Sequence, residues 1–140
     1  MSKSNVLFLC TSNSARSQMA EGLLRRHAGD RYEALSAGME PATVHPLAIR
    51  AMKEVGVDIS GQRSKSVKEY LGRIAIGHVI FVCARAEKSC PYLYPPLVPQ
   101  SWPFEDPAAF QGTEEECLEK FRQVRDQIDA RIKAWLAAHP

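Results

Sequence analysis

Apolar and polar positions along the chain alternate between two spacings. Val6-Leu7-Phe8-Leu9 is a continuous apolar run, the mark of a strand covered on both faces, so Asn5–Leu9 is expected as the first strand. Ser17–His27 then reads as a helix, with Met19, Ala20, Leu23 and Leu24 on one face. Tyr32–Ser36 is a short second strand ending at Ala37-Gly38. Pro46 opens a second helix, where Leu47, Ile49, Met52 and Val55 recur at near-helical spacing up to Gly56. Ser66-Val67-Lys68-Glu69 has a capping-box pattern and predicts a short helix through Leu71. His78–Val82 is a third buried strand leading into Cys83.

The next stretch, Ala84 to Pro107, is irregular and carries six of the nine prolines. A fourth strand fits only within Val98–Trp102, and the prolines at 95, 96, 99 and 103 keep it short or at an edge. Thr113-Glu114-Glu115-Glu116 is a second capping box. It opens the longest helix, whose apolar stripe is Leu118, Phe121, Val124, Ile128, Ile132, Trp135 and Leu136. Strands alternating with helices predict an α/β class: a four-stranded parallel sheet with helices on both faces and right-handed crossovers. Ligands of such sheets bind at the C-terminal strand ends, where Cys10 and Cys83 both fall.

Composition narrows the function classes. The 140 residues suit one domain spanning 1–140, with 45% hydrophobic and 24% charged content ordinary for a soluble globular protein. A net charge of +2 suits a small anionic substrate. No basic run interleaves with aromatics, so nucleic acid is not expected as a partner. No apolar run is long enough for a signal-peptide core or a membrane span, which predicts a cytoplasmic protein and no membrane partner. Cytosolic disulfides are usually transient and catalytic or redox-sensing, so the placement of the 4 cysteines matters.

Cys10-Thr11-Ser12-Asn13-Ser14-Ala15-Arg16-Ser17 links the first strand to the first helix. A loop closing onto a helix N-terminus points backbone N–H groups inward, and the helix dipole adds positive potential. A tetrahedral oxyanion fits that cradle, with Arg16 gripping two of its oxygens. The same field favours Cys10 as a nucleophilic thiolate near neutral pH. Asn13 and Ser14 suit left-handed or turn geometry. Ser17 either caps the helix or turns its hydroxyl to the Cys10 sulfur. A cysteine, five residues and an arginine is a weak pattern by itself, expected by chance about 0.3 times here. Its strand–loop–helix setting is what gives it weight.

Cys90 follows Cys83 after six residues, too far apart for a Cys-x-x-Cys redox motif. None of the four histidines stands at zinc-ligand spacing to a cysteine pair, so no metal is expected. The small, charged intervening residues leave two readings open: a mobile segment that brings Cys90 onto Cys83, or two cysteines without a redox role. Cys117 is assigned no chemistry. Asp106, before Pro107 and next to Glu105, is the best-placed general acid, although a turn aspartate is equally what that dipeptide signals.

Together these residues resemble the thioredoxin-coupled arsenate reductases of the low-molecular-weight protein tyrosine phosphatase fold. The resemblance runs through residues 10–22, Ser36-Ala37-Gly38, His45-Pro46, residues 51–56, Asp58-Ile59-Ser60, Cys83, Cys90-Pro91, Trp102, Asp106-Pro107 and residues 121–126. It implies that Cys10 attacks arsenate held by the loop amides (residues 11–17) and Arg16, while Asp106 protonates the departing oxygen. It implies next that Cys83 attacks Cys10 and releases arsenite, that Cys90 takes over the disulfide with Cys83, and that thioredoxin reduces it. No cofactor is implied.

The chain departs from the family pattern at three places. Ser12 stands where a glycine is frequent, and Ala15 where many members carry a further cysteine. Some members bind potassium near the loop through residues matching Asn13, Glu21, Ser36 and an aspartate. Lys65 stands at that last position, and its ammonium is expected to replace the ion.

Two other readings remain. A tyrosine phosphatase using the same loop would work through a Cys10 phosphocysteine and would need neither Cys83 nor Cys90. Asp106-Pro107-Ala108 lacks the tyrosine that many such phosphatases carry after the proline, though weak phosphatase side activity is compatible with the loop. A thiol redox sensor without turnover would leave Arg16 and Asp106 unexplained. A monomer is the default expectation.

Overall fold

The computed structural model describes residues 3–70, 72–83 and 99–139. Among them, four strands form one parallel sheet in the order β2-β1-β3-β4: β1 (Ser4–Cys10), β2 (Tyr32–Gly38), β3 (His78–Phe81) and β4 (Gln100–Ser101). Five consecutive residues of β1, Val6 to Cys10, are buried, so both faces of the central strand are covered, as its unbroken apolar run requires. Leu9 pairs with Ala37 on one side and Phe81 on the other, which brings the C-terminal ends of three strands level. β4 is only two residues long. Pro99 and Pro103 flank it without N–H donors, while Trp102 N–H donates to the Phe81 carbonyl (2.7 Å).

Helix α1 (Arg16–Ala28) is buried over most of its first two turns, well beyond the expected stripe: Ser17, Gln18, Glu21 and Gly22 are buried beside Met19, Ala20, Leu23 and Leu24. Gly22 is there because a Cβ would stand 2.7 Å from the Ile59 side chain. Helix α2 (Pro46–Lys53) stops before Gly56, which takes φ +79° in the turn that follows. Ser66 opens a single 3₁₀ turn, Val67–Glu69, in place of the expected helix, and Glu69 faces Arg63 (3.0 Å). Leu71, the expected end of that helix, lies outside the described residues.

Helix α3 (Glu114–Ala138) starts on a complete capping box: Glu116 N–H donates to Thr113 Oγ1 and Thr113 N–H to Glu116 Oε1. Its stripe is buried as expected, except that Leu136 is only partly covered. Arg125 joins the buried face because its guanidinium donates to the Ala51 carbonyl (2.8 Å) and to Glu54 (3.0 Å), which ties α3 to α2. Arg122 reinforces that tie and, through its hydrogen bonds, holds the Glu54 carboxyl down to about 2. Among the described residues no helix is long and apolar enough to cross a membrane.

At the N-terminal ends of the strands, His78 packs edge-on against Trp135 (5.1 Å between centroids), with Tyr32 and His139 beside it. Burial, and secondarily the nearby His139, push the His78 imidazole below its ordinary 6.5. A depressed histidine contributes stability above the unfolded-state value and loses it as pH falls through the folded one. The melting temperature is therefore expected to fall between pH 7 and 5, and His78→Phe to flatten that fall. Thermal denaturation of both proteins across this range measures it.

Candidate active site

The level strand ends deliver Cys10 and the Cys83 region to one edge of the sheet. Between Cys10 and α1 the chain makes a tight loop, and every carbonyl from residue 10 to 15 is claimed from outside it. Cys10 O accepts from Met39 N–H (3.3 Å), Thr11 O from Glu40 N–H (2.8 Å), and Ser12 O from Ala42 N–H (3.1 Å) and the Ser64 hydroxyl (2.9 Å). Asn13 O accepts from the Gln18 amide (3.1 Å), Ser14 O from His45 N–H (3.0 Å), and Ala15 O from Met19 N–H (2.9 Å). In a planar trans peptide the C=O and the following N–H point opposite ways. Carbonyls fixed outward therefore leave the loop amides facing inward, as an anion cradle requires. Asn13 takes φ 50°, the left-handed turn its side chain suits.

Gly38, at the end of β2, makes this closure sterically possible. A Cβ there would stand 2.8 Å from both Asn13 N and Thr11 O. His45 supports the far side of the loop and caps α2, its Nδ1 accepting the Leu47 N–H (3.1 Å) while the ring packs on Phe121. That acceptor role needs the neutral imidazole. Burial lowers the His45 proton affinity accordingly, partly opposed by the Asp106 charge.

Cys10 is buried, and its sulfur receives the Asn13 N–H at 3.1 Å and lies 2.9 Å from the Ser17 hydroxyl. Of the two roles open to Ser17, the structure chooses the sulfur: Ala15 is the N-cap residue of α1, with no side-chain cap. Thr11 Oγ1 lies 3.4 Å from Cys83 Sγ. Thr11, Ser12, Arg16, Cys83, Pro103, Phe104 and Asp106 line one cleft. In it the Arg16 guanidinium donates to the Phe104 carbonyl (3.0 Å) and stands 3.7 Å from Asp106 Oδ2. Asp106 also fills its turn role, Oδ1 accepting the Ala108 N–H (3.0 Å), yet its side chain remains 43% exposed to the cleft. Cys90 lies outside the described residues. Cys117 sits apart, near the carbonyls of Phe110 and Gly112.

Beneath the loop lies a buried polar cluster built on Asn13, Glu21, Ser36 and Lys65, the positions that the family resemblance singled out, with Gln18 added. The Lys65 ammonium approaches Glu21 Oε1 (3.5 Å) and Ser36 Oγ (3.4 Å) and donates to the Arg63 carbonyl (3.0 Å). Lys65 and Glu21 are each more than nine-tenths buried. Burial lowers the Lys65 proton affinity, and Glu21 opposes that shift. Gln18, never singled out in the sequence, is fully buried and joins Asn13 to the Arg63 carbonyl. Its only sequence signal is a polar side chain beside the apolar stripe of α1. Among the described residues, no group of three His, Cys, Asp or Glu side chains could hold a metal ion.

The family model for low molecular weight phosphotyrosine protein phosphatases matches residues 5–139. An arsenate reductase of Bacillus licheniformis is 45% identical over 133 residues, 95% of either chain. A solved arsenate reductase in the phosphate binding state has a TM-score of 0.77 and 35% identity, covering 96% of this chain and 98% of that one. A thioredoxin-dependent arsenate reductase of Corynebacterium glutamicum also has a TM-score of 0.77, with 31% identity over 97% of this chain and 61% of that one.

Two outcomes follow from the geometry. Gly38→Ala forces backbone against backbone. It is expected to cost about 2 kcal/mol of stability and to weaken phosphate binding, as calorimetry and thermal melting would register. Lys65→Met removes one of two cations from the buried Glu21 carboxylate, whose Oε2 keeps the Arg25 guanidinium (2.7 Å) and whose Oε1 keeps the Ser36 hydroxyl (2.7 Å). It is expected to cost about 2 kcal/mol, and adding Glu21→Gln to recover part of it. With an ammonium already in place, exchanging sodium for potassium leaves the wild-type melting temperature unchanged.

Proposed function

The chain belongs to the low molecular weight phosphotyrosine protein phosphatase family, and from that membership we propose that it is an arsenate reductase with Cys10 as nucleophile and thioredoxin as reductant. One observation carries the reading: a second thiol, Cys83, lines the same cleft as Arg16 and Asp106, with Thr11 reaching from the loop to its sulfur. A phosphatase regenerates its cysteine with water and has no use for a thiol there. The thioredoxin-dependent relative supports the choice of reductant.

The chemistry balances on these residues. Arsenate occupies the inward-facing amides, with Arg16 released from the Phe104 carbonyl to take two of its oxygens. The Cys10 thiolate bonds to arsenic and Asp106 protonates the departing oxygen, which leaves as water. The Cys83 thiolate then attacks the Cys10 sulfur. A sulfur–sulfur bond forms, the sulfur–arsenic bond breaks, and its electron pair stays on arsenic, which departs as arsenite. Cys90 attacks Cys83, freeing Cys10, and the dithiol of thioredoxin reduces the Cys83–Cys90 disulfide. Each turnover passes two electrons from thioredoxin to arsenic.

The test is arsenate-dependent NADPH oxidation in the presence of thioredoxin and thioredoxin reductase. Wild type is expected to turn over, Cys90→Ser to stop after one turnover, and Asp106→Asn to lose about a hundredfold in kcat. Steady hydrolysis of an aryl phosphate without arsenate-dependent oxidation would make the chain a phosphatase.

A further inference from the structure

The contact between Ser17 and Cys10 is the inner end of a longer hydrogen-bonded chain. Arg25 Nη1 donates to Gln62 Oε1 (3.0 Å), and Gln62 Nε2 donates to Gln18 Oε1 (2.7 Å). Gln18 Nε2 donates to Asn13 Oδ1 (2.9 Å), and Asn13 Nδ2 donates to Ser17 Oγ (2.7 Å). Ser17 Oγ is 2.9 Å from Cys10 Sγ. Three amides thus stand in series between the sulfur and Arg25, whose other nitrogen Nη2 is held by Glu21 (2.7 Å) and the Ala34 carbonyl (3.1 Å).

Backbone groups lock the direction of every amide in the series. Gln62 Nε2 also faces the Gln18 carbonyl (3.1 Å), and Gln18 Nε2 the carbonyls of Asn13 (3.1 Å) and Arg63 (2.9 Å). Asn13 Oδ1 also accepts the Lys65 N–H (3.0 Å). Turning any of the three would set carbonyl against carbonyl or N–H against N–H. The Asn13 amide occupies one lone pair of the Ser17 oxygen, and toward a Cys10 thiolate, which can only accept, the Ser17 hydroxyl is the donor. The series therefore runs one way, and each link polarises the next in the buried medium.

We infer that Gln62 and Gln18 are positioning residues for the Cys10 thiolate, carrying hydrogen-bond polarity from Arg25 to the Ser17 hydroxyl that faces the sulfur. The inference rests on Cys10 being the nucleophile. It gives a half-exposed glutamine, four links from the sulfur, control over thiolate reactivity.

The experiment is the rate of Cys10 alkylation by iodoacetamide against pH, with Cys83→Ser, Cys90→Ser and Cys117→Ser leaving Cys10 as the single thiol. Gln62→Leu, and Gln62→Met as a variant of matching length, remove the donor to Gln18. Both are expected to slow alkylation at pH 6 about threefold and to move the profile to higher pH. Gln62→Lys restores a donor to Gln18 Oε1 and is expected to restore the parent profile. Cooperative melting of each variant shows that it folds. A parent-like profile in the Leu and Met variants, or a Lys variant no nearer the parent than Leu, would overturn the inference. Alkylation needs neither arsenate nor reductant, so its result is read separately from whether the chain reduces arsenate.

Discussion

Six carbonyls, from Cys10 to Ala15, are fixed outward by donors from the Met39–His45 segment, Ser64, Gln18 and Met19. Much else in the fold follows from that constraint. A short loop left to itself would turn some carbonyls inward, and a single one would repel an anion. Holding all six outward needs a neighbouring segment at backbone-contact distance. β2 and its extension supply it, and only glycine at position 38 permits the approach. The parallel register that levels β1 with β2 and β3 thus does more than build a core: it sets the loop against its frame.

The polar cluster beneath the loop is the second condition. Asn13, Ser17, Gln18, Glu21, Ser36 and Lys65 are all buried, and burying so many polar groups is tolerable only because each has partners. The Lys65 ammonium and the Arg25 guanidinium (2.7 Å) together balance Glu21. The same saturation makes the cluster directional. With every amide locked by a backbone group, the sulfur is presented with donors and no competing acceptor from this side.

Reactivity and stability are divided between regions. α2 and α3 are joined by Glu54, Arg122 and the buried Arg125, away from the cleft. Arg16 and Asp106 face each other across open space at 3.7 Å, a loose pair that an entering anion can rearrange. The groups expected to move are those left least constrained.

Periodicity, with the Thr113 capping box, determined the strand–helix order, the parallel sheet and the start of α3, because those depend on local propensity and on which faces must be buried. It also located Cys10, Arg16 and Asn13, since a loop between a buried strand and an amphipathic helix has few ways to fold. It overran α2 by three residues and read a helix where Ser66 opens one 3₁₀ turn, because tertiary packing sets where short elements stop. Ser17 had two local options, and nothing nearby in sequence chose between them. The choice was made by Asn13, whose orientation is fixed by the Lys65 backbone 52 residues away. Gln18 and Gln62 stayed invisible for the same reason: an amide's role depends on which distant carbonyls it meets, and only the folded chain brings those together.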